Sequence, residues 1–212
     1  MAAIRTGLTP ESIARLIALG EHRRYRRGTV LINEGDQGDA LFVIVSGRVK
    51  VYSVDDRDRE ITYGFCGPGD AIGEMSLDGS PRSASVITVE PTVCAMITHQ
   101  QLLAHIEAYP TFAFELLTTI IQRARMATRS ARNLALLDVY GRLVNLLESL
   151  ATPRDDGTRI IAERLTHAEL ANRVGCSREM ISRLVKDLRS GHYLMEEGAS
   201  WILPRQSLPA RW

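Results

Sequence analysis

The sequence predicts an α+β chain: an antiparallel β-barrel in front, a long helix, and a winged helix-turn-helix at the rear. Three observations carry this. Between Tyr25 and Thr98 short β-rich runs alternate with turn residues, and no helix-length pattern intervenes. Beyond Pro110 apolar residues recur at steps of three and four, and between Leu165 and Arg189 two capped helices meet at a glycine. The expected segments are residues 1–110, 111–137 and 138–212.

The front segment opens on a helix. Thr9-Pro10-Glu11 supplies a capping hydroxyl, a proline tolerated at the first helical position and an acid near the positive dipole end. Ile13, Leu16 and Ile17 form its apolar stripe, and Gly20 is a plausible stop. Strand-like runs follow: Thr29 to Ile32, Leu41 to Val45 and Val49 to Tyr52. Gly35-Asp36, Gly38-Asp39, Ser46-Gly47 and Gly67-Pro68-Gly69-Asp70 punctuate them, the pattern of a small antiparallel sandwich or barrel.

In the middle segment Leu117, Ile120, Ala124, Ala127, Ala131 and Leu134 fall on one coiled-coil-like stripe. A helix packed on its own barrel and a homodimer seam both fit this pattern. The narrow, alanine-centred stripe favours the seam. The helical pattern continues through Asp138 to Leu150, which predicts a continuous helical hinge near Leu137-Asp138.

In the rear segment Thr166 and Glu169 make a capping box, Gly175 is the turn, and Ser177 caps a second helix. Ala171, Gly175 and Ile181 supply the small residue, the turn and the buried apolar contact of a helix-turn-helix. At 100° per residue, Ile181, Leu184, Val185 and Leu188 cover one side of the second helix. Arg178, Glu179, Ser182, Arg183, Lys186 and Arg189 occupy the other. Such an arc on a second helix belongs in a major groove. Arginine grips guanine O6 and N7, and glutamate accepts from cytosine N4. Arg178, Glu179 and Arg183 are therefore expected to read bases, with Ser182, Lys186 and Arg189 as backbone anchors and Ser177 also counted among the DNA-binding residues. A hairpin around Glu197-Gly198 would form the wing.

Composition limits the alternatives. The chain has 212 residues, a formal net charge of +1, three cysteines and five histidines. Cys66, Cys94 and Cys176 are far apart, so they are expected as small packing groups rather than a disulfide or metal clip. The scattered histidines give no metal-ligand spacing. No run approaches the roughly 18 apolar residues of a membrane span. No apolar segment follows Met1 to Arg5, so no signal peptide is expected and a cytoplasmic protein is the default. No nucleophile, base and oxyanion set suggests an enzyme.

Gly73-Glu74-Met75 and Pro81-Arg82-Ser83-Ala84 have the parts of a cyclic-phosphate clamp: glycine- and serine-flanked amides, an arginine, and a carboxylate for a ribose hydroxyl. Together they resemble the phosphate-binding cassette of cyclic-nucleotide-binding jelly rolls. Asn133 to Val139 with Gly141-Arg142, and Val174 to Glu179, are similar to the cyclic AMP receptor proteins of the CRP/FNR family. The resemblance covers nearly the whole chain. It implies a homodimeric bacterial transcription regulator that binds double-stranded DNA at a TGTGA-like palindrome, with RNA polymerase as a further partner. It implies cyclic AMP as effector, with Glu74 at the ribose, Arg82 and Ser83 at the phosphate, Thr128 at the adenine edge and Arg123 paired with Glu74. Gly73 and Met75 complete the expected pocket.

Two departures bear on the effector. The Glu74–Arg82 stretch is at least one residue shorter than the family pattern, and Ala127 stands where a ligand-holding threonine is usual. Cyclic di-GMP, or no effector, remains open beside cyclic AMP. A rival reading is a regulatory subunit whose barrel restrains a partner enzyme. Haem and iron–sulfur sensing are not expected, since no axial histidine stands out and no cysteine precedes Cys66.

Overall fold

A computed structural model describes residues 7–162 and 165–209. The expectation about Met1 to Arg5 lies outside the described residues. The described residues divide into two compact units: residues 7–53 with Thr62–Thr128, and Val54–Ile61 with the described residues from Arg129 onward.

In the first unit, helix α1 (Pro10–Leu19) starts under a Thr9 cap and stops at Gly20. Strands β1 (Glu21–Tyr25), β2 (Val30–Ile32), β3 (Leu41–Ser46), β4 (Val49–Val54), β5 (Glu60–Cys66), β6 (Ala71–Ile72), β7 (Ser85–Thr88) and β8 (Thr92–Ile97) follow. Helices α2 (His99–Ala108) and α3 (Thr111–Leu136) complete the run. The strands form two four-stranded sheets, β1-β8-β3-β6 and β2-β7-β4-β5, whose recorded pairings are antiparallel.

Strand β3 shows why its sequence is apolar without interruption. Side chains alternate across a strand, and here both faces are buried. Leu41 and Val43 join Leu16, Leu102, Phe112 and Leu116 of the helices, while Phe42 and Ile44 join Ile32, Val49, Ile72 and Val86 in the barrel interior. Cys66 and Cys94 pack in that interior. Burial pushes the Cys66 thiol up to about 12 and the Cys94 thiol up to about 11, so both are protonated packing groups. Cys176 is half-buried.

Helix α3 has two faces. Phe112, Leu116 and Thr119 are buried, and the half-buried Arg123 and Met126 continue that stripe. Leu117, Ile120, Ala124, Ala127, Ala131 and Leu134 are all exposed. The division between the units falls inside α3 rather than at its ends, because Phe112 to Met126 pack on the barrel unit.

The continuous helical hinge is not observed. Helix α3 ends at Leu136 and α4 begins at Val139. Asp138 is extended between them (φ −69°, ψ 176°), its carboxylate accepting from the Gly141 amide at 2.7 Å. A short acceptor side chain that bonds a backbone amide three residues on starts a helix rather than continuing one.

The second unit contains α4 (Val139–Leu150), β9 (Thr152–Pro153), β10 (Arg159–Ile161), α5 (His167–Val174), α6 (Arg178–Ser190), β11 (Met195–Glu197) and β12 (Ser200–Leu203). Its sheet runs β11-β12-β10-β9, so the wing hairpin extends onto a second, earlier hairpin. Leu143, Leu147, Leu170, Ile181, Leu188 and Trp201 form the core.

Candidate functional site

The barrel cassette is built around a tight turn. Strand β6 ends at Ile72, and Gly73 takes a left-handed φ of 89°. A Cβ there would come within 2.7 Å of Arg82 Nη1 and 2.8 Å of the Ala40 carbonyl, so only glycine fits. The single 3₁₀ turn Glu74–Ser76 then places the Glu74 carboxylate inside the protein, with the residue 3% exposed.

Arg123, reaching from α3, ion-pairs with Glu74 Oε1 and also donates to the Ala71 carbonyl. The second oxygen, Glu74 Oε2, is buried with no hydrogen-bond partner among the described residues. A buried carboxylate oxygen without a donor is costly, and it suits a ligand hydroxyl.

Arg82 is also drawn inward. Its Nη1 donates to the Gly73 carbonyl at 2.8 Å and to Ser76 Oγ at 2.7 Å, and its Nη2 donates to the Ala40 carbonyl at 2.9 Å. Burial lowers its pKa, opposed by the Asp39 and Glu74 carboxylates. The guanidinium thus fastens both ends of the cassette to the β2–β3 connection. Ser76 and the Ala40 carbonyl are participants that the sequence reading did not single out. Ser76 had no signal beyond lying between Glu74 and Arg82.

Ser83 and Met75 are exposed, with Ser83 Oγ 3.8 Å from Met75 Sδ. Thr128 is exposed on α3 and its hydroxyl donates to the Ala124 carbonyl at 3.0 Å. The structure therefore brings Gly73, Glu74, Arg82 and Arg123 together, and leaves Met75, Ser83 and Thr128 at the surface.

In the second unit, Thr166 and Glu169 form the reciprocal capping box of α5. Gly175 takes the left-handed conformation (φ 73°) and Ser177 caps α6 by accepting from the Met180 amide at 3.2 Å. Ile181, Val185 and Leu188 are buried, Leu184 is half-buried, and Arg178, Glu179, Arg183 and Lys186 are exposed. Arg189 ion-pairs with Glu196 on β11 and so fastens the wing to α6. Ser182 lies 2.9 Å from Nδ1 of His167, a residue that the sequence reading passed over. Arg142 closes the turn from behind, donating to the carbonyls of Leu137 (3.0 Å) and Val174 (2.9 Å).

Residues 22–109 match the cyclic nucleotide-binding domain family, and residues 164–191 match the crp family of bacterial regulatory proteins. The CRP-like protein Clp of Xanthomonas euvesicatoria is 32% identical over 91% of this chain and 87% of its own length. The chain belongs to the CRP/FNR family of transcription regulators.

Solved structures agree with this CRP/FNR assignment. The c-di-GMP responsive global regulator CLP of Xanthomonas campestris superposes with a TM-score of 0.79 at 29% identity, covering 92% of this chain and 99% of that one. The catabolite activator protein of Thermus thermophilus gives a TM-score of 0.56, also at 29% identity, covering 96% and 94%. This CRP/FNR regulator carries a cyclic nucleotide-binding domain and a DNA-binding domain, and its family is one of regulators, not enzymes. No helix among the described residues is long and apolar enough to cross a membrane.

Proposed function

We propose that the chain is a homodimeric, cytoplasmic regulator whose barrel takes a cyclic nucleotide and whose α6 helices read a TGTGA-like palindrome beside RNA polymerase. The observation that carries the effector reading is Glu74 Oε2, a buried acceptor held in place by Arg123 and lacking a donor among the described residues. A ribose 2′-hydroxyl supplies such a donor. Ser83 and the neighbouring amides would receive the cyclic phosphate, with the charge of Arg82 beneath them. Gly73 and Met75 would shape the floor and rim, and Thr128 would meet the base.

The exposed apolar stripe of α3 supports a seam between two copies, since the chain's own barrel covers the opposite side of that helix. At the duplex, Arg178, Glu179 and Arg183 read bases, Ser177, Ser182 and Lys186 hold the backbone, and Arg189 braces the wing.

Cyclic di-GMP is the second reading, and one observation favours it. The 29%-identical CLP is described as c-di-GMP responsive. A barrel that restrains a partner enzyme has no comparable support, because residues 164–191 match the crp family of bacterial regulatory proteins.

Calorimetry with cyclic AMP, cyclic GMP and cyclic di-GMP, paired with gel shifts on the palindrome, tests the proposal. Saturable binding of cyclic AMP that is lost in Glu74→Ala supports it. Binding of cyclic di-GMP alone selects the second reading, and absence of any nucleotide binding overturns both.

A further inference from the structure

Resting on the reading that α6 enters the groove, we infer that His167 is a positioning residue: it turns the Ser182 hydroxyl outward as a donor to a DNA phosphate. Serine inside a helix ordinarily bonds back to the carbonyl four residues earlier and so loses its donor. Here that carbonyl belongs to Arg178, and among the described residues the Ser182 side chain makes no such bond. Instead Ser182 Oγ lies 2.9 Å from His167 Nδ1.

With the proton on Nδ1, the imidazole donates to Oγ, and the hydroxyl hydrogen is left for another acceptor. Helical spacing says where that acceptor must be. Arg178 and Lys186 stand four residues either side of Ser182, on the same strip of α6, and both are exposed. The hydroxyl therefore sits between two cations on the face offered to the duplex, where the abundant acceptor is a phosphate oxygen. The opposite tautomer would direct the serine hydrogen into the ring and leave the phosphate without this donor. His167 acts through Ser182, and its position at the first turn of α5 is fixed by the Thr166–Glu169 box.

A double-mutant cycle on the intact protein with the palindromic duplex tests this. Ser182→Ala and His167→Ala are each expected to weaken binding about fivefold, the size of one neutral hydrogen bond. Both losses should be uniform across DNA sequences. The double variant should lose no more than Ser182→Ala alone, and His167→Asn, whose amide can donate from the Nδ1 position, should recover most of the affinity. Thermal unfolding of each variant separates this from a loss of folded protein. A methylphosphonate scan adds a readout that a purely structural role would not move: one position per half-site should weaken wild type and leave both single variants unaffected.

Multiplicative losses, a Ser182→Ala variant that binds like wild type, or a scan with no such position would overturn the inference while leaving the function standing. Failure of wild type to bind any duplex would sink the function itself.

Discussion

Arg123 holds the Glu74 carboxylate by an ion pair and the Ala71 carbonyl by a hydrogen bond, so one guanidinium ties α3 to both sides of the cassette turn. The Glu74 side chain is 1% exposed and that of Arg123 17%. Removing one partner of a buried pair leaves an uncompensated charge, which ordinarily costs about 3–5 kcal/mol. Arg123→Ala should therefore destabilise the barrel unit by roughly 3 kcal/mol in urea unfolding, and nucleotide affinity should fall with it. An unchanged midpoint would mean that the pair contributes nothing.

The exposed stripe on α3 gives a second expectation. Phe114 is 74% exposed, and Leu117, Ile120 and Ile121 of the same helix are exposed as well. Ala124→Glu puts a carboxylate where two such stripes would meet. Sedimentation should show the variant as a monomer while the barrel still binds nucleotide. Specific DNA affinity should fall by roughly a hundredfold as the linked second half-site is lost. A variant that remains dimeric places the seam elsewhere.

Much of this was legible from local chemistry. The caps at Thr9, Thr166 and Ser177 and the turn at Gly175 are decided by a few adjacent residues, and all form as the sequence implies. Strand β1 was not read, because Glu21-His22-Arg23-Arg24 carries no apolar alternation. Among the described residues it is an edge strand paired only to β8, where charge guards against further pairing. Helix α2 went unread although Thr98 and Gln101 make a capping box before it. The break at Asp138 was hidden because an apolar period cannot register a cap that interrupts it. The inward turn of Arg82 depends on Ala40, Gly73 and Ser76 converging from three places in the chain, which spacing alone does not reveal.

Arg183 and Lys186, both exposed on α6, should separate base reading from backbone anchoring. Arg183→Ala is expected to cost roughly 1–3 kcal/mol on the preferred site and to relax the choice at one base pair. Lys186→Ala should weaken all duplexes alike and lower the salt slope by about one. Binding measured on a set of single-base variants at several salt concentrations distinguishes them. A uniform loss in Arg183→Ala would remove it from the base readers.

His105 provides the last test, one of stability against pH. The residue is 8% exposed, its ring lies 4.9 Å from that of Phe112 and 5.1 Å from that of Tyr109, and its Nε2 is buried without a partner among the described residues. Burial lowers its pKa, the Arg15 charge on α1 lowers it further, and Glu115 on α3 partly offsets them. The folded protein thus resists protonation that the unfolded chain accepts near pH 6.5. Stability is complete above that value and declines as pH falls below it, because only the unfolded state gains the proton. The decline ends once pH passes below the folded pKa and both states are charged. His105→Leu removes the titrating group from the same apolar site. Urea midpoints taken from pH 8 to pH 5 should fall for wild type and stay flatter for the variant. Parallel profiles would assign the acid sensitivity to other groups.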